Sequence, residues 1–197
     1  MRRIYKKLLL ILCVVPLATA AWAEDTLGQL TSEEGRFIHS SKSFSIVPPR
    51  GHKEKVERAD GVQFINLLDK SFMSISFSVI AGKSTDRELL ERYNDTEFRK
   101  SFIANLEVAS ASLQTKVRNT KPRMVNGIPA FEFVTEGVSS KGPLQNNYIF
   151  FYKDQKEFII VLGAAKEFFN MELSSFDESL GTFKVIESAP AAAARTP

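Results

Sequence analysis

Two runs, Tyr148-Ile149-Phe150-Phe151-Tyr152 and Phe158-Ile159-Ile160-Val161-Leu162, constrain the fold of this chain more than any other feature. Each is apolar at odd and even positions alike, so as a strand it presents an apolar surface on both faces of a sheet. Such a pair belongs at a sheet centre, with one layer above and another below. Asp154-Gln155-Lys156 between the runs reads as a tight turn, which makes them antiparallel neighbours.

The other segments fit around that centre. Short strands at 36–40 and 43–47 flank a turn at Ser41-Lys42, and Pro48-Pro49-Arg50-Gly51 ends the second because proline cannot continue a ladder. A third strand covers 62–68 and a fourth 72–80. In the fourth, Met73, Ile75, Phe77 and Val79 alternate with Ser74, Ser76 and Ser78, giving one apolar face and one small polar face. That serine ladder has the hydroxyls to hold a ligand, but a half-exposed or closely packed face is the preferred reading. Residues 113–121 form a polar, exposed strand. Asn126-Gly127, where both residues tolerate positive φ, joins Met124-Val125 to a strand at 128–135 as a hairpin. Thr85-Asp86-Arg87-Glu88 fits a capping box, followed by Leu89, Leu90 and Tyr93 on one helical face. The five-residue step from Tyr93 to Phe98 breaks the helix near Asn94. A second segment then carries Phe98, Phe102, Ile103 and Leu106, aromatics read as core rather than cofactor contacts. The final helix spans 175–182 after a turn at 166–171, and residues 183–186 close the domain. The expected fold is α+β, a mostly antiparallel sheet with helices on both faces: an α/β/α sandwich.

Residues 1–23 read as a signal peptide, giving a periplasmic, exported protein. Arg2, Arg3, Lys6 and Lys7 precede an apolar core broken by Pro16, and Ala21-Trp22-Ala23 offers the small residues at which cleavage occurs, after Ala23. The apolar run is much shorter than the ~20 residues of a membrane span. Leu12 before Cys13 argues against lipoprotein attachment, and Lys6 argues against the twin-arginine route that Arg2-Arg3 hints at. Removal of the leader discards the single cysteine, so no disulfide forms, and takes four of the 26 Lys and Arg but none of the 23 Asp and Glu. The remaining 22 basic and 23 acidic side chains carry a net charge of −1, which gives no electrostatic reason to expect nucleic acid or an anionic membrane as a partner. Residues 24–34 form a polar, flexible lead, 35–187 one domain without internal repeats, and 188–197 an Ala/Pro-rich disordered tail.

Reactive groups are sparse. The mature chain has no cysteine nucleophile, no Gly-x-Ser-x-Gly elbow and no phosphate-binding glycine motif; the stretch Gly137-Val138-Ser139-Ser140-Lys141-Gly142 reads as a turn. His39 ends a polar strand and His52 follows the Pro-Pro-Arg-Gly turn, so both are expected as solvated surface imidazoles. Asp60, Asp69 and Asp154 lie in or beside turns, where aspartate bonds to its own backbone. No catalytic residue, cofactor or metal is expected.

Several motifs in order resemble the PsbP-like superfamily, which includes photosystem accessory subunits, the Ran-binding protein Mog and DcrB-type envelope proteins. They are Phe44-Ser45-Ile46-Val47-Pro48, the serine strand at 72–79, the helical stretch after Asp86, Val125-Asn126-Gly127-Ile128-Pro129-Ala130, the paired strands around Asp154, and Gly181-Thr182-Phe183-Lys184. His52 departs from the tryptophan common after the Pro-x-Gly turn. The resemblance implies a non-catalytic accessory or binding protein that acts through an envelope protein partner, by a sheet edge, a loop or its termini. The alternative is a small-ligand or lipid-binding module with a pocket lined by Phe131, Phe133, Phe150 and Tyr152. No nucleic-acid partner and no membrane-spanning segment in the mature chain are expected.

Overall fold

The two doubly apolar runs become β8 (Gly142–Lys153) and β9 (Lys156–Ala165), paired antiparallel through the centre of a seven-stranded sheet. The computed structural model describes residues 35–81, 84–109 and 111–186; the expected leader, lead and tail lie outside the described residues. Beside β8 lie β7 (Ile128–Ser139) and then β6 (Lys116–Val125) at one edge. Beside β9 lie β5 (Phe72–Val79), β4 (Gly61–Asn66) and β3 (His52–Arg58) at the other edge. Every neighbouring pair is antiparallel.

Turn chemistry sets these pairings. Asn126 and Gly127 have φ of 43° and 82°, the two positive values that a two-residue hairpin requires, and Val125 faces Ile128 across it. Asp154 and Gln155 take φ of 53° and 58°, and the Asp86 carboxylate accepts from their two amides at 3.0 and 3.4 Å.

One face of the sheet is covered by a small sheet of β1 (Phe37–Ile38), β2 (Phe44–Ile46) and β10 (Lys184–Val185), together with the last helix. Phe37, Phe44, Ile46, Phe176, Leu180 and Phe183 meet Ile149, Phe151, Phe158, Ile160 and Leu162 there, with Phe151 and Phe158 stacked at 5.0 Å. The opposite face carries α1 (Asp86–Glu91), a 3-10 turn at Arg92–Asn94 and α2 (Thr96–Ala109). Leu89, Tyr93, Phe102 and Leu106 from these pack on Phe131, Phe133, Phe150, Ile159 and Val161. The α/β/α sandwich is therefore as expected. The capping box is present, with Thr85 and Glu88 satisfying each other's amides. The break falls where the spacing predicts it, and Asp95 restarts the helix by accepting from Phe98 N at 2.7 Å.

Several boundaries differ from expectation. The stretch 137–142, expected as a turn, is mostly strand: Gly137, Val138 and Ser139 end β7 and Gly142 opens β8, so the hairpin there is longer and only Ser140 and Lys141 turn. β3 is a full strand where Lys53-Glu54-Lys55 suggests a solvated loop; it is an edge strand, so it lacks apolar alternation. The third expected strand stops at Asn66 rather than Leu68, because a turn begins there. The last helix, α3 (Phe169–Thr182), starts earlier than 175, without a side-chain cap to announce it.

Candidate binding face

Both histidines lie inside the molecule, which corrects the expectation of surface imidazoles. His39 is 0% exposed: Nε2 donates to Arg58 O at 2.8 Å, Nδ1 accepts from Ser41 N at 3.2 Å, and the ring stacks on Phe44. The strand just before it, β1, folds back over the sheet, so polar neighbours in sequence did not mean water around the ring. The His39 imidazole thus ties β1 to the end of β3.

His52 opens β3 and is 5% exposed. Around it stand Arg50 O at 3.3 Å from Nδ1, Ser71 Oγ at 3.4 Å from Nε2, and Glu172 Oε2 at 3.8 Å from Nδ1. Serine, histidine and glutamate in that order invite comparison with a hydrolytic triad. The hydrogen bonding contradicts it. Ser71 is 0% exposed and its hydroxyl donates to Asp69 Oδ1 at 2.7 Å, so its proton is directed away from His52. The group is a brace that joins the start of β3, the β4–β5 turn and α3. Burial holds the His52 imidazole below its ordinary value of 6.5, against the raising influence of Arg50 O and Asp69. Burial, and after it the Asp69 carboxylate, pushes Glu172 up. Burial also pushes Asp69 up, but its two bonds from Ser71 prevail and hold it below 3.8. Asp60, Asp69 and Asp154 all sit in turns as expected.

The four aromatics of the possible pocket, Phe131, Phe133, Phe150 and Tyr152, are all buried beneath α1 and α2. Tyr93 stacks on Phe131 at 5.6 Å, and Phe102 meets Phe133 and Phe150 at 4.9 and 5.2 Å. At these centroid separations the rings are in contact, so this region is packed core. Tyr152 donates to the buried Glu157 carboxylate at 2.9 Å, while the Tyr93 hydroxyl, buried beside them, makes no hydrogen bond.

The sheet edges are guarded. On β6, Pro122 lacks an amide, a bulge interrupts the register at Val117/Asn119, and Glu107 accepts from Val117 N at 3.0 Å. β3 carries Lys53, Glu54, Lys55, Glu57 and Arg58 and has its own bulge at His52/Glu54. Each device discourages an added strand.

The surface left is a shelf on the β3–β5 half of the sheet. Helices α1 and α2 stand over β6, β7 and β8. Register places Val56 opposite Gln63, Gln63 opposite Ser74, Gly61 opposite Ser76 and Glu54 opposite Ile65, all on the helix side of the sheet. Ser74, Ser76, Ser78, Gln63 and Ile65 are half-buried and Val56 is 41% exposed. Gly61 keeps the shelf flat: a Cβ there would meet Ile75 O at 2.2 Å. Hydroxyls, an amide and branched apolar groups, rimmed by Glu54 and Arg58, make a surface of the mixed kind found in protein contacts. The serine alternation was its signal in the sequence; Val56, Gln63 and Ile65 gave none.

No protein-family model and no curated protein sequence matches the chain. Solved structures do. Cyanobacterial PsbP (CyanoP) from Synechocystis is similar at 17% identity, covering 84% of this chain and 98% of that one, with a TM-score of 0.59. The fold is PsbP-like. LpqN, involved in cell envelope biogenesis of Mycobacterium tuberculosis, is similar at 9% identity over 77% of this chain and 90% of that one, with a TM-score of 0.50. A Bacteroides thetaiotaomicron protein aligns at 12% identity and a TM-score of 0.56 over 78% of this chain, which spans 48% of its length. Among the described residues no helix is long and apolar enough to cross a membrane.

Proposed function

We propose that this chain is an exported, non-catalytic accessory protein of the bacterial cell envelope that works by binding a partner protein on the β3–β5 shelf. The observation that carries the reading is the shelf: a flat, mixed-polarity sheet face that α1 and α2 leave uncovered, while Phe131, Phe133, Phe150, Ile159 and Val161 on the same face are buried beneath them. Support comes from the two histidines, each engaged in bracing the fold, and from the guarded edges, which turn a partner toward a face. The PsbP-like fold shared with LpqN, a protein of envelope biogenesis, and the leader read from residues 1–23 fit an envelope location.

Crosslinking pull-down from the exported fraction tests this. Wild type captures a defined protein, and Val56→Asp with Ser76→Glu loses it while the thermal transition stays in place. Equal capture by that variant overturns the shelf. N-terminal sequencing tests the export reading separately: the exported form starts at Glu24 and, having lost Trp22, shows no tryptophan emission. Retention of Met1 in the exported form contradicts it.

A further inference from the structure

The two edges of the large sheet carry charge of different kinds. Strand β6 holds Lys116, Arg118, Lys121 and Arg123 and no acid, so a copy of β6 beside it would offer no opposite charge, and Pro122 besides. Strand β3 alternates in sign. Glu54 and Arg58 stand two residues either side of Val56 on the shelf face. Lys55 and Glu57 flank Val56 on the other face, where Lys55 lies over the Phe37 ring and Glu57 accepts from Ser40 N at 2.7 Å. Among the described residues neither Glu54 nor Arg58 has an ion-pair partner, and Val56 between them is 41% exposed.

This order of charges is self-complementary about a two-fold axis through Val56. An antiparallel copy of β3 centred there sets Val56 opposite Val56, Glu54 opposite Arg58 twice, and Lys55 opposite Glu57 twice. Neighbouring registers fail. Centring on Lys55 or on Glu57 sets that residue against itself, and the two half-step registers set Glu54 against Glu57 or Lys55 against Arg58. The backbone permits the pairing. Arg58 and Gly61 flank a two-residue turn, and His39 Nε2 lies 2.8 and 3.3 Å from their carbonyl oxygens, so those carbonyls lie between β3 and β4. By alternation the backbone groups of Glu57 point outward, away from β4. The bulge at His52/Glu54 lies at the end of the stretch from Glu54 to Arg58 and leaves its ladder regular.

We propose that two copies of this chain pair antiparallel along β3, with Val56 on the two-fold axis and Glu54 of each copy meeting Arg58 of the other. Charge on an edge discourages a strand of unrelated sequence; against its own copy this pattern attracts. Two seven-stranded sheets then become one. Residues directly opposite in an antiparallel ladder point to the same face, so the two serine shelves meet across the axis and open to the same side. The pairing does not rest on the shelf as a binding face, and either can fail alone.

Sedimentation velocity on the full chain over a concentration series tests it. Residues 1–34 are common to every arm, so the difference between variants reports β3. Wild type forms a reversible dimer. Glu54→Arg sets guanidinium against guanidinium at both contacts, and Arg58→Glu sets carboxylate against carboxylate. Each weakens the dimer at least about tenfold. Glu54→Arg with Arg58→Glu in one chain restores it, and mixing the two single variants gives a mixed dimer. Glu54 is half-buried and Arg58 exposed, so the thermal transition stays in place and the loss reports the contact. Val56→Cys in a Cys13→Ser background crosslinks to itself on mild oxidation, since directly opposite Cα atoms lie about 4.5–5.5 Å apart. A monomeric wild type, or single variants that dimerise as tightly as wild type, overturns the proposal. So does a double variant as weak as the single ones, because Glu54 and Arg58 then do not face each other. Loss of the dimer with protein capture retained leaves the shelf reading standing and separates the two.

Discussion

The two halves of the large sheet are treated differently by the rest of the chain. Strands β7, β8 and β9 are covered on both faces: Phe151, Phe158 and Ile160 point into the layer of α3 and the small sheet, while Phe133, Phe150 and Val161 point into the layer of α1 and α2. Strands β3, β4 and β5 are covered on one. Met73, Ile75 and Phe64 face that layer, and the other side is the serine shelf. The same backbone ladder runs through both halves, so the difference lies in side chains. Three layers hold the first half in place; the second is free to meet another molecule.

Core truncation gives the largest contrast. Phe158→Ala in the doubly covered half is expected to cost about 3–5 kcal/mol, and Ser76→Ala on the shelf less than about 0.5 kcal/mol. Urea denaturation with unchanged m-values measures both, and similar losses would erase the distinction between the halves.

The histidine braces come next. His39→Ala and His52→Ala each remove a buried imidazole and the hydrogen bonds it makes, at a cost of roughly 1–3 kcal/mol each. The double variant is therefore not a silent test of catalysis, as surface imidazoles would have made it. Gly127→Val forces a branched residue to φ near 82° in the β6–β7 turn, with an expected loss of about 1–2 kcal/mol. A thermal transition unchanged in that variant would refute the turn.

A smaller effect is pH dependence. The folded state holds the His52 imidazole below 6.5, so as pH falls through that value the unfolded state takes up protons first and stability declines. Asp69, held below 3.8, adds stability that is lost only at lower pH. Glu172 acts the other way: its raised carboxyl stabilises the fold in acid, and that contribution fades as pH rises through its folded value. Between about pH 7.5 and 5.5 His52→Gln should therefore flatten the decline in denaturation midpoint. An unchanged slope would mean that His52 titrates alike in both states.

The doubly covered half was legible in the sequence because burial on both faces leaves an uninterrupted apolar run that no edge strand tolerates. The serine strand was legible through its alternation, and the Asn126-Gly127 and Asp154 turns through residues that accept positive φ. β3 was hidden because an edge strand protects itself with charge, which reads as a loop. His39 and His52 were misplaced because their burial depends on elements far along the chain: β1 folding over Arg58, and α3 bringing Glu172 to the β4–β5 turn. The shelf was half visible, since Val56 and Gln63 join the serines only through strand register.

Site-directed photocrosslinking in the intact envelope is the most direct test that the uncovered half is the working half. A photoreactive residue at Val56 or Ser76 on the shelf is compared with one at Lys100, exposed on α2. Adducts to one defined protein from Val56 and Ser76, and none from Lys100, are the expected result. Adducts from Lys100 with none from either shelf position would contradict it.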